Sequence, residues 1–479
     1  MEHEKYQEVE KYLKTFIDNT DTFCVYPWMH IATNNQGDYK LCCKADHSIP
    51  TNQAFEQKQK TSKMNASIDS LKDVWNSSYM KDVRKRMLNG ERVDACIDCY
   101  REEEQSSDSI CYRKRQNRIE LLPSSKNNGK IIKHRVNNMN GYEVRGLPLM
   151  LDLTLDSKCN LTCAMCQPQD STGVEDFMNK QINIGNKNKL PKNMIEALDT
   201  LNETYIHRDW TESDVFIKSI EDASYTLQEI YATGGEPFLV QSLWSIYEKM
   251  IDLELSKNIE LSYCSNLTVT SKKKLDTIKK FKRAIISASI DGYGKEYDFT
   301  RWPSNWNKID KTVNKLIKNW VDDKFNLHFC YVYSTITVTS LPDFIIWLKK
   351  CCDNINNMYN NNIELQALES SPKYMFPVTT LNQCVGTVDG LNIHFLSKKI
   401  KDYLIGYLEN NINVCDNIAI PSISIKQEYL GVIDALKNTE TTSDWKHKKE
   451  FWNYISLREK YIGINLNDVL TKEYYNLLS

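Results

Sequence analysis

The chain has 479 residues, enough for two or three domains. Its 61 basic and 63 acidic residues leave a net charge of −2, which gives no argument for a nucleic acid or an anionic membrane as partner. It has fifteen cysteines, no apolar run near the ~18 residues of a spanning helix, and a charged opening without a signal-peptide core. The expectation is therefore a cytoplasmic, reducing setting in which thiols bind metal.

In chain order, residues 1–22 read as a polar amphipathic lead-in and residues 23–111 as a compact cysteine-bearing unit. Cys24 precedes one apolar-aromatic run. Asn35, Gly37 and Asp38 separate it from a second run that ends at Cys42 and Cys43, which predicts a β-hairpin. A hairpin brings its ends together, so Cys24 and Cys42 can meet. Ser70 and Asp73 open a predicted helix that Leu71, Val74, Trp75, Tyr79, Val83 and Met87 continue and Gly90 ends. Cys96 and Cys99 then supply a CxxC pair. A zinc ribbon has the same ingredients, so zinc and iron–sulfur both stand at this point. Cys43 and Cys111 are near enough to be alternative ligands, and Cys43 reads as a buried thiol. His30 reads as packed rather than catalytic.

Residues 112–146 read as a basic connector with a turn at 126–130. From 147 to 370, strands alternate with helices, as in parallel β/α units. Six strands are predicted, near 149–155, 226–233, 259–264, 284–291, 327–337 and 363–369, too few for a closed eight-stranded barrel.

The polar residues that could do chemistry fall at the strand ends. Cys159, Cys163 and Cys166 follow the first strand. Three thiolates on one short loop can hold three irons of a cubane cluster and leave the fourth open as a reaction site. Part of a zinc site is the alternative. The second strand ends in Gly234, Gly235, Glu236 and Pro237. The glycines admit close backbone approach, Glu236 offers a carboxylate to an ammonium group, and Pro237 stiffens the exit; an ordinary strand-to-helix turn is the alternative. Asn266 ends the third strand. Ser289 and Asp291 end the fourth, where they can bond ribose hydroxyls or cap the next helix. Arg301 can pair with a ligand carboxylate or make a surface ion pair.

Residues 167–225 are a long insertion, read as a lid or substrate wall, with Trp210 and Phe216 over the cofactor. Residues 371–479 read as mainly helical, with Trp445, Phe451, Trp452, Tyr454, Ile455 and Leu457 as a core stripe. Cys264, Cys330, Cys351, Cys352, Cys384 and Cys415 show no ligand spacing and read as packed or surface thiols. No substrate-side acid, base or hydrogen donor stands out, although Cys264, Tyr331 and Tyr333 lie near strand ends.

The cysteine triplet, the GGEP at 234–237, Asn266 and the Ser289–Asp291 segment together resemble the radical SAM superfamily over residues 147–370. Met165 stands where that family often has an aromatic residue. The resemblance implies a partial (β/α)6 TIM-like barrel. It implies a [4Fe–4S] cluster on Cys159, Cys163 and Cys166 that chelates S-adenosylmethionine, and a 5′-deoxyadenosyl radical made by its reductive cleavage. It assigns Glu236 with the Gly234–Gly235 backbone to the methionine ammonium, Ser289 to the ribose and Arg301 to the methionine carboxylate, with Pro237, Asn266 and Asp291 completing the S-adenosylmethionine site.

The arrangement Cys24, Gly37, Cys42, Cys96, Cys99 is similar to the SPASM/Twitch auxiliary-cluster module, here placed before the core. It implies a second [4Fe–4S] cluster, with zinc as the alternative. A flavodoxin- or ferredoxin-type electron donor and a peptide, protein or small-molecule substrate complete the expectation. The rival of another class is a metal-binding scaffold without turnover.

Overall fold

The computed structural model describes residues 2–18, 21–57, 62–105, 112–121, 128–204, 209–320, 322, 324–360, 379–384, 388–416, 425–438 and 445–479. Contacts divide the chain into two compact units. The first holds residues 1–156, 207–233 and 240–261; the second holds 157–206, 234–239 and 262–479.

In the first unit, β1 (His30–Thr33) and β2 (Tyr39–Lys40) form the expected antiparallel hairpin, with Ala32 opposite Lys40 and Thr33 opposite Tyr39. Asn34 builds its turn. Its Oδ1 accepts the amides of Gln36 and Asp38, and Gly37 takes a φ of +83°. β1 also lies parallel to β3 (Met150–Leu155), His30 beside Met150 and Thr33 beside Leu153. The cysteine-bearing hairpin therefore continues the same sheet as the first core strand. β4 (Glu229–Gly234) and the start of β5 (Glu260–Ser265) follow β3 in order.

The helix predicted from Ser70 to Gly90 is two helices, Leu71–Trp75 and Ser78–Leu88. The break is a second cap: Ser77 Oγ accepts the Met80 amide, as Ser70 Oγ accepts that of Asp73. Gly90 ends the second helix with a φ of +76°. The lead-in is a helix, Glu2–Leu13. Residues 112–146 contain two helices, Tyr112–Leu121 and Gly129–Asn137, and residues 126 and 127 of the predicted turn lie outside the described residues. Buried arginines tie these helices in. Arg113 donates to the Phe23 carbonyl and Arg135 to that of Trp28.

In the second unit, the rest of β5 is followed by β6 (Arg283–Ser289), β7 (Phe325–Tyr333) and β8 (Thr379–Gln383). β6 and β7 are parallel with Ser289 beside Cys330, and β7 and β8 are parallel with Phe329 beside Thr379. The predicted strand at 363–369 lies outside the described residues, and β8 was not predicted.

Alternate residues of β5, β6 and β7 are buried and half-buried. The apolar set packs under helices, while Cys264, Ser289, Cys330 and Val332 stand on the opposite, partly open face. Beyond β8 the described residues are mainly helical: Lys398–Asn410, Ile425–Lys437, Lys448–Ile462 and Lys472–Leu478.

Candidate functional site

The loop carrying Cys159, Cys163 and Cys166 runs from the end of β3 to the helix Thr172–Asn183. Its backbone is held from several directions. Thr172 Oγ1 meets both the amide and the carbonyl of Cys159 at 3.1 Å, and Ser171 Oγ donates to Leu161 O at 2.8 Å. The amides of Thr162 and Ala164 donate to the carbonyls of Trp302 and Thr300, each at 2.7 Å. The amide of Glu236 donates to Lys158 O at 2.8 Å. Backbone groups of Lys158, Cys159, Leu161, Thr162 and Ala164 thus have partners fixed by other elements.

Gly235 is required by this packing. A Cβ there would lie 2.3 Å from Lys158 O and 2.6 Å from Lys158 C. The close approach reserved for a ligand in the sequence reading is, at this glycine, an approach of the cluster loop's own backbone. Gly234 ends β4 with a φ of +122°, and Pro237 opens a short 3-10 turn to Leu239.

Glu236 is 1% exposed. Its Oε1 accepts from Ser265 Oγ at 2.8 Å and from the Phe238 amide at 3.1 Å, and its Oε2 accepts the Asn266 amide at 2.7 Å. A carboxylate has about four acceptor sites, so one remains for an ammonium group. Burial raises its pKa and these hydrogen bonds oppose the rise. Asn266 turns its side chain to the loop, with Nδ2 3.0 Å from Asn160 Oδ1 and 3.9 Å from Cys159 Sγ.

Asp291 and Arg301 answer each other. They form a buried ion pair, and the second Asp291 oxygen accepts the Val332 amide at 2.9 Å. The surface ion pair considered for Arg301 is thus a buried one, and the helix-capping alternative for Asp291 gives way to this tie. Ser289 Oγ lies 3.3 Å from Cys264 Sγ, whose thiol also meets that of Cys330. Neither cysteine showed ligand spacing; only the side-chain parity of adjacent strands could have brought them together.

The sequence does not reveal two further residues at the loop, because they lie nearly 300 positions from it. Tyr454 donates to Ala164 O at 3.0 Å. Arg458, fully buried, donates to the carbonyls of Phe299 and Thr300. Tyr454 belongs to the aromatic stripe read as core, which is buried apart from the half-buried Trp452.

Burial pushes all three thiols up, Cys159 to about 11. They are protonated until a metal displaces the protons. Three soft, water-shielded sulfur donors on a clamped loop suit three irons of a [4Fe–4S] cluster, with one iron open.

In the first unit, Cys24 and Cys99 are buried and Cys42 and Cys96 half-buried. Burial, and then the neighbouring Cys24 and Cys43, raise the Cys42 thiol, which places Cys24 beside Cys42 as the hairpin implied. Cys96 and Cys24 both act on the Tyr100 phenol. Among the described residues no three of these sulfurs lie within 4.8 Å of one another. One tetrahedral zinc would hold them about 3.8 Å apart, whereas a cubane gives each thiolate its own iron.

Cys43 is exposed, not buried as expected. Its thiol lies 3.3 Å from the Tyr112 hydroxyl and bonds Asp152. Cys111 lies outside the described residues. His30 is buried, stacked on Tyr26 at 4.0 Å and bonded to Leu41 O at 3.1 Å, the packed role expected. In the first unit Trp210 packs edge-on to Phe216, donates to Asn35 O, and fills the space beside Gly37.

Residues 156–348 match the model of the radical SAM superfamily, and residues 24–100 match that of the SPASM iron–sulfur cluster-binding domain. No curated protein matches the chain. Among solved structures, Streptococcus suis SuiB bound to S-adenosylmethionine is 11% identical with a TM-score of 0.31, over 70% of this chain and 63% of that one. SuiB bound to the precursor peptide SuiA is 10% identical with a TM-score of 0.30, over 66% and 60%. The chain thus spans less than two thirds of these SuiB chains. No described helix is long and apolar enough to cross a membrane. With its clamped cysteine triplet and its second set of thiols on the preceding hairpin and helix, the chain carries a radical SAM superfamily domain over residues 156–348 and, ahead of it, a SPASM iron–sulfur cluster-binding domain over residues 24–100.

Proposed function

We propose that this enzyme abstracts a hydrogen atom from a peptide or protein substrate and completes a net oxidation or cross-link with help from its auxiliary cluster. When bound, the cluster and S-adenosylmethionine supply the 5′-deoxyadenosyl radical that does the abstraction. The chain's own residues orient and shield. Cys159, Cys163 and Cys166 hold the cluster. The acceptor left on Glu236 receives the methionine ammonium, and Ser289 faces the ribose. Asp291 is spent on Arg301 and Val332, so its part is to fix the end of β6 and the guanidinium.

The observation that carries this reading is the cysteine loop cinched by Thr172, Thr300, Trp302 and Glu236, in a chain with a separate four-thiol set. That second set supports oxidation, because an auxiliary cluster can take an electron from a substrate radical. The length of chain beyond the core supports a peptide over a small molecule such as a sugar alcohol. A soluble cytoplasmic setting and a flavodoxin- or ferredoxin-type donor belong to the same proposal.

The test is anaerobic incubation of reconstituted enzyme with S-adenosylmethionine and dithionite, followed by candidate peptides and sugar alcohols. Formation of 5′-deoxyadenosine, lost in Cys163→Ala, is expected. Unchanged formation in that variant sinks the cluster assignment. No 5′-deoxyadenosine from wild type means a scaffold. Turnover with a sugar alcohol alone overturns the peptide reading.

A further inference from the structure

Arg458 lies in the middle of the helix Lys448–Ile462 and is 0% exposed. Its Nε and Nη2 are 3.2 and 2.7 Å from Phe299 O, and Nη2 is also 3.1 Å from Thr300 O. Thr300 O is the same carbonyl that accepts the amide of Ala164, between Cys163 and Cys166. One carbonyl therefore joins the guanidinium to the cluster loop. One turn earlier on the same helix, Tyr454 donates to the carbonyl of that same Ala164.

The third nitrogen decides the matter. Nη1 of Arg458 is buried without a carbonyl or carboxylate partner, the neutral Tyr454 hydroxyl is the side chain beside the guanidinium, and among the described residues Arg458 forms no ion pair with a carboxylate. Leaving a buried charge uncompensated costs several kcal/mol. Arg301, the other buried guanidinium acting on Cys163, has Asp291 as its counter-ion. Arg458 acts on Cys163 as well and has no such acid. Three thiolates and a cubane together carry net negative charge, which grows by one on reduction.

We propose that Arg458 is the counter-charge of the cluster held by Cys159, Cys163 and Cys166, and that it sets the reduction potential of that cluster. This rests on the cluster reading above. A fixed positive charge in a dry site favours the more anionic, reduced state, and net charge and hydrogen bonds to sulfur are what tune such potentials. Arg458 is a positioning and tuning residue that touches the loop through the carbonyls of Phe299 and Thr300. The helix Lys448–Ile462 thus has a function beyond filling the core.

The experiment is an anaerobic EPR redox titration of reconstituted full-length enzyme. The cluster of interest is identified by the change in its signal on adding S-adenosylmethionine. In Arg458→Gln the reduction equilibrium should fall at least tenfold, about 59 mV more negative for one electron. In Arg458→Lys, which keeps the charge and loses the fork, the potential should stay near wild type. Iron content and circular dichroism are measured on each protein.

A potential unchanged in Arg458→Gln, with the cluster present, overturns the proposal and leaves the cluster reading intact. Absence of any cluster in wild type fails that reading instead. If Arg458→Gln does not fold, Arg458→Met, which keeps the apolar stem, is titrated in its place, and an unchanged potential there overturns the proposal.

Discussion

The Glu236 carboxylate accepts the Asn266 amide at 2.7 Å, and the Asn266 side chain reaches Cys159 Sγ at 3.9 Å. The end of β4 therefore positions the first cluster thiol through the end of β5. Asn266→Ala keeps the amide that Glu236 needs and removes the side-chain contacts to Asn160 and Cys159, together with the two bonds that Asn266 Oδ1 accepts from Thr268. Lost hydrogen bonds to a charged partner are worth about 1.5–3 kcal/mol, so S-adenosylmethionine affinity should fall roughly tenfold to a hundredfold. Equilibrium binding to the reconstituted protein measures it, and wild-type affinity would remove Asn266 from the site.

Gly235→Ala attacks the loop from its backbone side. A methyl group 2.3 Å from Lys158 O cannot be placed without moving residues 157 and 158, which lead directly to Cys159. The variant should keep its auxiliary cluster and lose the one that binds S-adenosylmethionine, dropping from about eight irons to about four. Cys99→Ala should also leave about four irons, but with 5′-deoxyadenosine still formed and substrate turnover lost. Two variants with the same iron count and opposite behaviour toward S-adenosylmethionine would assign the two sets of thiols separately.

What the sequence disclosed was local, and what it hid was long-range. The triplet at 159–166, the hairpin around Gly37 and five of the six predicted strands could be read from spacing, turn residues and alternation, because each depends on neighbours in the chain. Ser77 was harder: a cap inside an apolar-periodic run splits one predicted helix into two. β8 went unseen, and its place after β7 depends on pairing rather than on a local pattern. The Asp291–Arg301 pair and the buried Arg458 were invisible because a sequence shows charge without its partner. The partner of Trp210 was hidden for the same reason, since nothing nearby in sequence says that its ring fills the gap beside Gly37.

Cys264 and Cys330 are held thiol to thiol but should not form a disulfide. They lie on β5 and β7, with β6 between them. Two strand spacings amount to about 9.5 Å, whereas a disulfide needs Cα atoms within about 6.8 Å. A single bridging atom can still span the sulfurs. Phenylarsine oxide should therefore add to the reconstituted protein at this pair, with loss of one water, and Cys264→Ser should abolish that adduct. A peptide linked through Cys264 and Cys330 after diamide treatment would refute the spacing argument.

Asp152 makes stability depend on pH. Burial, and then the nearby Glu229, raise its carboxyl from 3.8 to about 6, while a hydrogen bond from Cys43 and the charge of Lys40 oppose the rise. His30 stands 4.0 Å away on β1. Because the folded protein holds this proton more tightly than the unfolded chain, the stabilisation is complete below about pH 4. It is lost as pH rises to about 6, amounting to at most about 3 kcal/mol. Asp152→Asn cannot ionise, so the gap between its melting temperature and that of wild type should move in its favour from pH 5 to pH 7. A constant gap across that range would mean that Asp152 is ionised in the folded protein throughout, held by His30 and Lys40.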